Sequence, residues 1–325
     1  MDNVNDFFAT LSSILWGWPM IVLLLGTHVF LTVRLRFPQR KLFTAIRISV
    51  QRDKSQKGDV SQFGALATAL AATIGTGNII GVATAVALGG PGAVFWCWLT
   101  GVFGISTKYS EALLAIKYRV KSESGRMLGG PMYTLERGLG WRKMGMLFAV
   151  FTAIAAFGIG CTVQANAIST IMHASYGIST EVSGGVLMLL SAAVIIGGVR
   201  SISKVCSMLV PLMALLYVLG CIFILCVNAG YVMPALRLIV CSAFSPQAAG
   251  GGFAGASVIM AARYGIARGL FSNESGLGSA PIVAAAARTK NPVRQALVSS
   301  TGTFWDTVVI CALTGLVIVS SISAY

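Results

Sequence analysis

Long apolar runs alternate along this chain with short basic stretches. Residues 60–107, 144–180 and 205–236 contain no Asp, Glu, Lys or Arg. A helix needs about 20 apolar residues to cross the hydrocarbon layer, so each run holds at least one span. The pattern predicts eight membrane elements, over residues 14–34, 62–88, 93–116, 145–172, 183–199, 205–228, 251–287 and 295–322. The first is expected as a retained helix. Asp2 and Asp6 precede it instead of a basic region, and its run from Ile14 to Val33 is too long for a secretory signal core. Segment 251–287 is too long for one straight span and carries Arg263, Arg268 and Glu274. A short surface helix followed by a broken membrane helix is predicted there.

Composition removes the soluble alternative. Only 10% of the 325 residues are charged, and mean hydropathy is +0.80. A soluble domain carries about a quarter. The net charge of +14 would point to nucleic acid on a soluble protein, but its placement has another cause. Apart from Lys108, Arg237, Arg263 and Arg268, the Lys and Arg residues, 20 of the 24, fall in the loops after the first, third, fifth and seventh elements. Basic loops stay cytoplasmic, so the N-terminus is expected outside and the chain is expected to end outside. The charge is then topological, and no nucleic-acid partner is expected. The seven Cys, all but Cys241 inside apolar runs and without C-x-x-C spacing, read as small hydrophobes. His28 and His173 are far apart, at predicted helix ends, and supply no metal set.

Three constellations could carry chemistry. The first is Ala71-Ala72-Thr73-Ile74-Gly75-Thr76-Gly77-Asn78, midway along the second element. Two glycines flanking Thr76 loosen a helix at mid-membrane depth. Freed backbone groups there are tolerated only where they line a cavity or bind something. Half-helix N-termini suit a carboxylate, and unwound carbonyls suit a cation. The plainer reading is a tight helix crossing at Gly75 and Gly77. No dinucleotide loop is involved, because Gly81 comes one position too late. The second constellation is Gly269-Leu-Phe-Ser-Asn-Glu-Ser-Gly-Leu-Gly-Ser-Ala-Pro281, which reads as half-helix, break, half-helix, or more plainly as a polar loop. The third is a set of isolated polar groups: Gln164 and Asn166, Asp306, and Lys108 with Glu111. Lys108 and Glu111 share a helix face and are close enough to neutralise each other. Gln164 is either a helix–helix hydrogen bond or a ligand group. Intramembrane ionisable residues are functional candidates by default.

Taken together, these stretches resemble the alanine/glycine:cation symporter family. The matching segments are Gly75-Thr-Gly-Asn-Ile-Ile-Gly-Val-Ala-Thr-Ala, Gly89-Gly-Pro-Gly-Ala-Val-Phe-Trp-Cys-Trp, Thr107-Lys-Tyr-Ser-Glu, Gly129-Gly-Pro-Met-Tyr, the Gly269–Ile282 motif and Gly302-Thr-Phe-Trp-Asp-Thr. The resemblance implies an all-α polytopic membrane protein of the leucine-transporter-like inverted-repeat type (APC superfamily type). It divides the chain into an extra N-terminal helix and basic loop (1–59), a first five-helix repeat (60–230) and part of a second repeat (231–325). It implies substrate contacts at Thr76, Gly77, Gln164, Phe271, Ser272 and Gly276. Cation ligands are implied at the carbonyls of Thr73 and Ile74, at Asn78 and at Asn273. Asp306 and Glu274 are weaker candidates for coupling or gating. Members of the family carry about three further helices after the point matching Tyr325, so missing C-terminal helices and an incomplete second repeat are expected. The implied function is sodium-coupled import of a small neutral amino acid, alanine or glycine, across the plasma (inner) membrane, with no other cofactor. Sodium is preferred to protons because no carboxylate or His lies at the Gly75 break. The alternatives are a truncated, non-transporting remnant, one part of a split transporter, or a proton-coupled permease. No nucleophile–base pair suggests an enzyme.

Overall fold

A computed structural model describes residues 2–51, 58–244 and 258–324. The helices are α1 (Asp2–Leu15), α2 (Trp18–Arg34), α3 (Leu42–Val50), α4 (Gln62–Thr73), α5 (Val82–Gly89), α6 (Gly92–Lys117), α7 (Pro131–Leu139) and α8 (Arg142–Ala155). They continue with α9 (Val163–Tyr176), α10 (Thr180–Ile195), α11 (Gly198–Val227), α12 (Ala229–Phe244), α13 (Val258–Asn273), α14 (Ala280–Ala285), α15 (Pro292–Thr303) and α16 (Ala312–Ala324). A two-residue hairpin, β1 (Val120–Lys121) with β2 (Met127–Leu128), interrupts the loop before α7.

Among the described residues, four helical stretches are long and apolar enough to cross a membrane. These are Asp6–Arg34, Arg142–Tyr176, Gly198–Val227 and Pro292–Ala324. A fifth is the pair α4 and Gly77–Gly89, bent by 53°. The protein is therefore a multi-pass membrane protein, with fewer unambiguous spans than the eight elements expected. The segment expected at 183–199 is the 16-residue helix α10, and α6 carries Lys108 and Glu111 within its length. The surface helix expected at the start of 251–287 falls outside the described residues, and the broken helix expected after it is formed by α13 and α14. A helix forms earlier, as α12, while residues 251–257 lie outside the described residues. So do Arg52, Lys54 and Lys57 of the first basic loop.

The expectation of an incomplete second repeat is overturned. The C-terminal helices over Pro292–Ala324 are formed and built into the core. Val298 and Ile310 pack with Leu66, Leu70, Ile74 and Val210, and Cys311 and Val319 with Val82, Val86 and Val94. The physical reason is local: α15 begins on Asn291, whose side chain accepts from Val293 N–H at 2.9 Å, with Pro292 in its first turn.

Helix α6 is the central post, with α2, α12, α13, α14 and α15 packed on it. Its crossing with α13 is close because the contact positions are small. A side chain at Gly265 would strike Trp96 Cβ, 2.8 Å away, and one at Gly269 the Cys97 carbonyl, also at 2.8 Å. The sequence placed His28 at a helix end. It instead lies inside α2, fully buried, with Nδ1 2.8 Å from the Thr107 hydroxyl of α6.

Candidate functional site

The first break forms as its sequence suggests. Ser61 caps α4 by accepting from Gly64 N–H, and the helix ends where Ile74 turns extended (ψ 107°). Gly75 N–H then donates to Asn78 Oδ1 at 3.1 Å, and Asn78 N–H to the Gly75 carbonyl at 3.0 Å. A π-helical stretch, Gly77–Gly81, leads into α5. Two more follow the same rule of wide turns near polar groups. Ala156–Thr162 ends two residues before Gln164, and Phe304–Cys311 contains Asp306.

The second break separates α13 from α14. Glu274 adopts left-handed backbone (φ 51°), as do Gly276 (φ 91°) and Gly278 (φ 83°). The glycines take this geometry without strain. Glu274 is held by a hydrogen bond from Ser279. Lys108 Nζ donates to the Asn273 carbonyl at 2.8 Å, at the negative end of α13. Glu111 Oε1 accepts from Gly278 N–H at 3.1 Å, ahead of α14. Lys108 and Glu111 thus form a clamp across the break; no direct ion pair joins them among the described residues, though their charges remain coupled.

The predicted site residues separate into three groups. In the first, Thr76 donates its hydroxyl to Gln164 Oε1 at 2.6 Å, and Gly75 also faces the Gln164 amide. In the second, Asn78, Ser272 and Asp306 form one buried junction. Asn78 Nδ2 donates to Asp306 Oδ1 at 2.6 Å, and the hydroxyls of Ser272 and Thr307 donate to Oδ2 at 2.8 and 2.7 Å. Cys311 Sγ lies 3.3 Å from both Asn78 and Ser272. In the third, Thr73, Asn273 and Lys108 line an enclosed cavity of about 10 Å³, room for about one water. The Asn273 amide nitrogen is buried there without a hydrogen-bond partner. Ile74 is buried in the apolar cluster of Leu66 and Val298. Gly276 belongs to none of the groups: a Cβ there would meet Leu24 at 2.9 Å, so this glycine faces α2. Glu274 is likewise turned to Ser279.

Four residues at the site were not anticipated. Thr307 and Cys311 complete the Asp306 junction. Gly81 and Arg268 meet beside the first break, with the Arg268 guanidinium over the Phe271 ring, 5.5 Å from its centroid. The signal for Arg268 was present, since a cation within an apolar segment at membrane depth is conspicuous. Thr307 closes the Gly302–Thr307 motif beside Asp306, and Cys311 carried no signal.

A membrane protein with two helices broken near one another, meeting at a buried carboxylate, is built as a secondary transporter. Comparison with known proteins agrees. The family model described as the sodium:alanine symporter family matches residues 1–325. A sodium/alanine symporter of Methanococcus maripaludis is 52% identical across 95% of this chain and 69% of its own length. An uncharacterized transporter of Haemophilus influenzae is 52% identical across 98% of the chain and 70% of its own length. A probable sodium/glutamine symporter of Bacillus subtilis is 39% identical across 95% and 64%. The chain belongs to the sodium:alanine symporter family. It is a sodium-coupled amino-acid transporter rather than an enzyme, with sodium as the co-transported ion. The family match spans residues 1–325, and the chain covers about 70% of the length of the first two of these relatives.

Proposed function

We propose that this chain imports a small neutral amino acid, alanine or glycine, with sodium across the plasma (inner) membrane, its N-terminus outside. The reading divides the chain at residues 59 and 230, into an extra N-terminal helix and basic loop, a first repeat and a second repeat. The amino acid lies at the first break. Thr76 and Gly77 offer backbone N–H groups to its carboxylate, Gln164 faces its amine, and Phe271 and Ser272 close the opposite side. Gly276, turned toward Leu24, is left out of this assignment. The small space between Gly75 and the Gln164 amide, only 3.3 Å for a Cβ, favours a small side chain.

The observation that carries the reading is the buried junction of Asn78, Ser272 and Asp306, which ties both breaks to the last helix. The Asp306 carboxylate already accepts from three neutral donors, and sodium adds the countercharge that a buried carboxylate favours beyond them. The cation is therefore assigned to Asp306 with Asn78 and Ser272, and the terminal carbonyls of Thr73 and Ile74, left without intrahelical partners at the end of α4, are further candidate ligands. Asn273 is a poorer ligand, because the Lys108 ammonium already occupies its side of the cavity. Glu274 serves the turn.

The test is uptake of labelled alanine into proteoliposomes holding the purified chain, under a sodium gradient or a proton gradient. Sodium-driven uptake that glycine competes away is expected. Uptake driven by protons and indifferent to sodium would overturn the coupling, and no competition by either amino acid would overturn the substrate.

A further inference from the structure

We infer that Arg268 is a receptor for the substrate carboxylate, a role resting on the reading of this chain as an amino-acid importer. Arg268 lies on α13, six residues before the second break, yet its guanidinium reaches the outer half of the first. A Cβ added at Gly77 would come within 2.8 Å of Nη2, and one at Gly81 would overlap the guanidinium itself. Glycine at these two positions is what makes room for the cation. Phe271 covers its other face, and Trp16 meets the Phe271 ring edge-on, 5.7 Å between centroids.

No carboxylate among the described residues pairs directly with the charge held in this slot, and Asp306 feels it only at longer range. Among the described residues Arg268 makes no ion pair, and its Nε is buried without a hydrogen-bond partner. The carboxylate that could have served, Asp306, is engaged by Asn78, Ser272 and Thr307. An unpaired arginine within a membrane segment is costly, and residues of that kind persist where a ligand supplies the partner. The backbone N–H groups at the start of Gly77–Gly89 add the positive end of a helix at the same spot. The guanidinium presents a planar fork of donors matched to two carboxylate oxygens.

The spacing also fits a zwitterion. Gly75 faces the Gln164 amide while Gly77, two residues on, faces Arg268. Gln164 Oε1 accepts one hydrogen bond from Thr76 and retains a second lone pair for an ammonium. A small amino acid can thus bridge the break with its amine toward Gln164 and its carboxylate toward Arg268.

The test compares L-alanine with L-alaninamide, which lacks the carboxylate, by calorimetry on the purified chain in sodium buffer. Arg268→Gln should weaken alanine binding about ten-fold or more, the loss of a hydrogen bond to a charged group, and should leave alaninamide within about two-fold. Arg268→Lys should recover part of the loss. Equal losses for both ligands would make Arg268 a packing residue, and unchanged alanine binding would overturn the role outright. If alaninamide does not bind the unaltered protein, the alanine arm alone decides. If Arg268→Gln loses its cooperative thermal unfolding, Gly81→Ala replaces it: it displaces the guanidinium without removing it, and should also weaken alanine. Failure of the unaltered protein to bind alanine, glycine or any other α-amino acid would sink the importer reading itself, a result distinct from any variant's.

Discussion

Asp306 illustrates how a single residue acquires its role. Its carboxylate is fully buried and accepts from three neutral side chains. Asp306→Asn keeps the shape and removes the charge. The expected outcome is a rise of at least about ten-fold in the sodium concentration needed for half-maximal alanine binding, since a charge-assisted contact is worth roughly 1.5–3 kcal/mol. Asn78→Ala should shift the sodium dependence in the same direction. Unaltered sodium dependence in both would move the cation elsewhere. Gln164→Ala tests the amine end: alanine affinity should fall by a similar factor while the thermal midpoint stays put, because Gln164 is half-buried and its side chain meets Thr76 alone by hydrogen bond among the described residues. A fall in stability with affinity unchanged would return it to helix packing.

At the scale of the element, the second break depends on α6. Lys108 and Glu111, one turn apart, meet the two half-helix ends with the matching sign of charge. Lys108→Met should cost about 2 kcal/mol of stability, since it leaves the buried Asn273 carbonyl without its charged donor. Glu111→Gln keeps an acceptor for Gly278 N–H and should cost less than about 1 kcal/mol. Thermal unfolding of both variants side by side checks this. A larger loss for Glu111→Gln would show that the charge, and not the hydrogen bond, holds α14. The start of the first broken helix and the end of the second are also tied together. Asp59 and Val60 N–H groups donate to the Ala286 carbonyl, and Arg288 N–H returns to Val60 at 2.7 Å. Arg119 donates to the carbonyls of Ala285, Ala287 and Thr289. Burial holds its guanidinium below the ordinary arginine range, against the pull of Asp59.

For the whole molecule, orientation is the open quantity that a simple experiment resolves. Single cysteines placed in the Ala174–Ser183 connection, on an otherwise cysteine-free chain, should react with an impermeant reagent from outside. Those at Phe43 in the 35–58 loop or Glu123 in the 118–143 loop should not. The reverse pattern would invert the protein in the bilayer and turn the first break's outer half inward. The 35–58 and 118–143 loops are more ordered than a loop reading implies: each contains a short helix, α3 and α7. Helix α7 places apolar and charged residues on different sides, as a surface helix does.

What the sequence determined by itself was whatever the solvent imposes locally. Charge-free runs demand spans, and glycines with polar residues in an apolar run demand a break. Both breaks, Ile74–Thr76 and Glu274–Ser279, are where those local rules put them. Tertiary structure alone decided which polar groups meet. Asn78, Ser272 and Asp306 stand 194 and 34 residues apart along the chain, and no local pattern pairs them. Gly276 was read as part of the site because it lies in the same motif as Ser272, but its left-handed backbone turns it toward Leu24. Lys108 and Glu111 looked like each other's partners because sequence spacing knows only their own helix. Two half-helix ends with uncompensated dipoles lay beside that helix, and in low dielectric such ends are stronger claimants than a neighbouring side chain. Arg268 shows the same limit, since its place beside Gly77 and Gly81 depends on how closely α13 and the first broken helix approach, a distance set by packing.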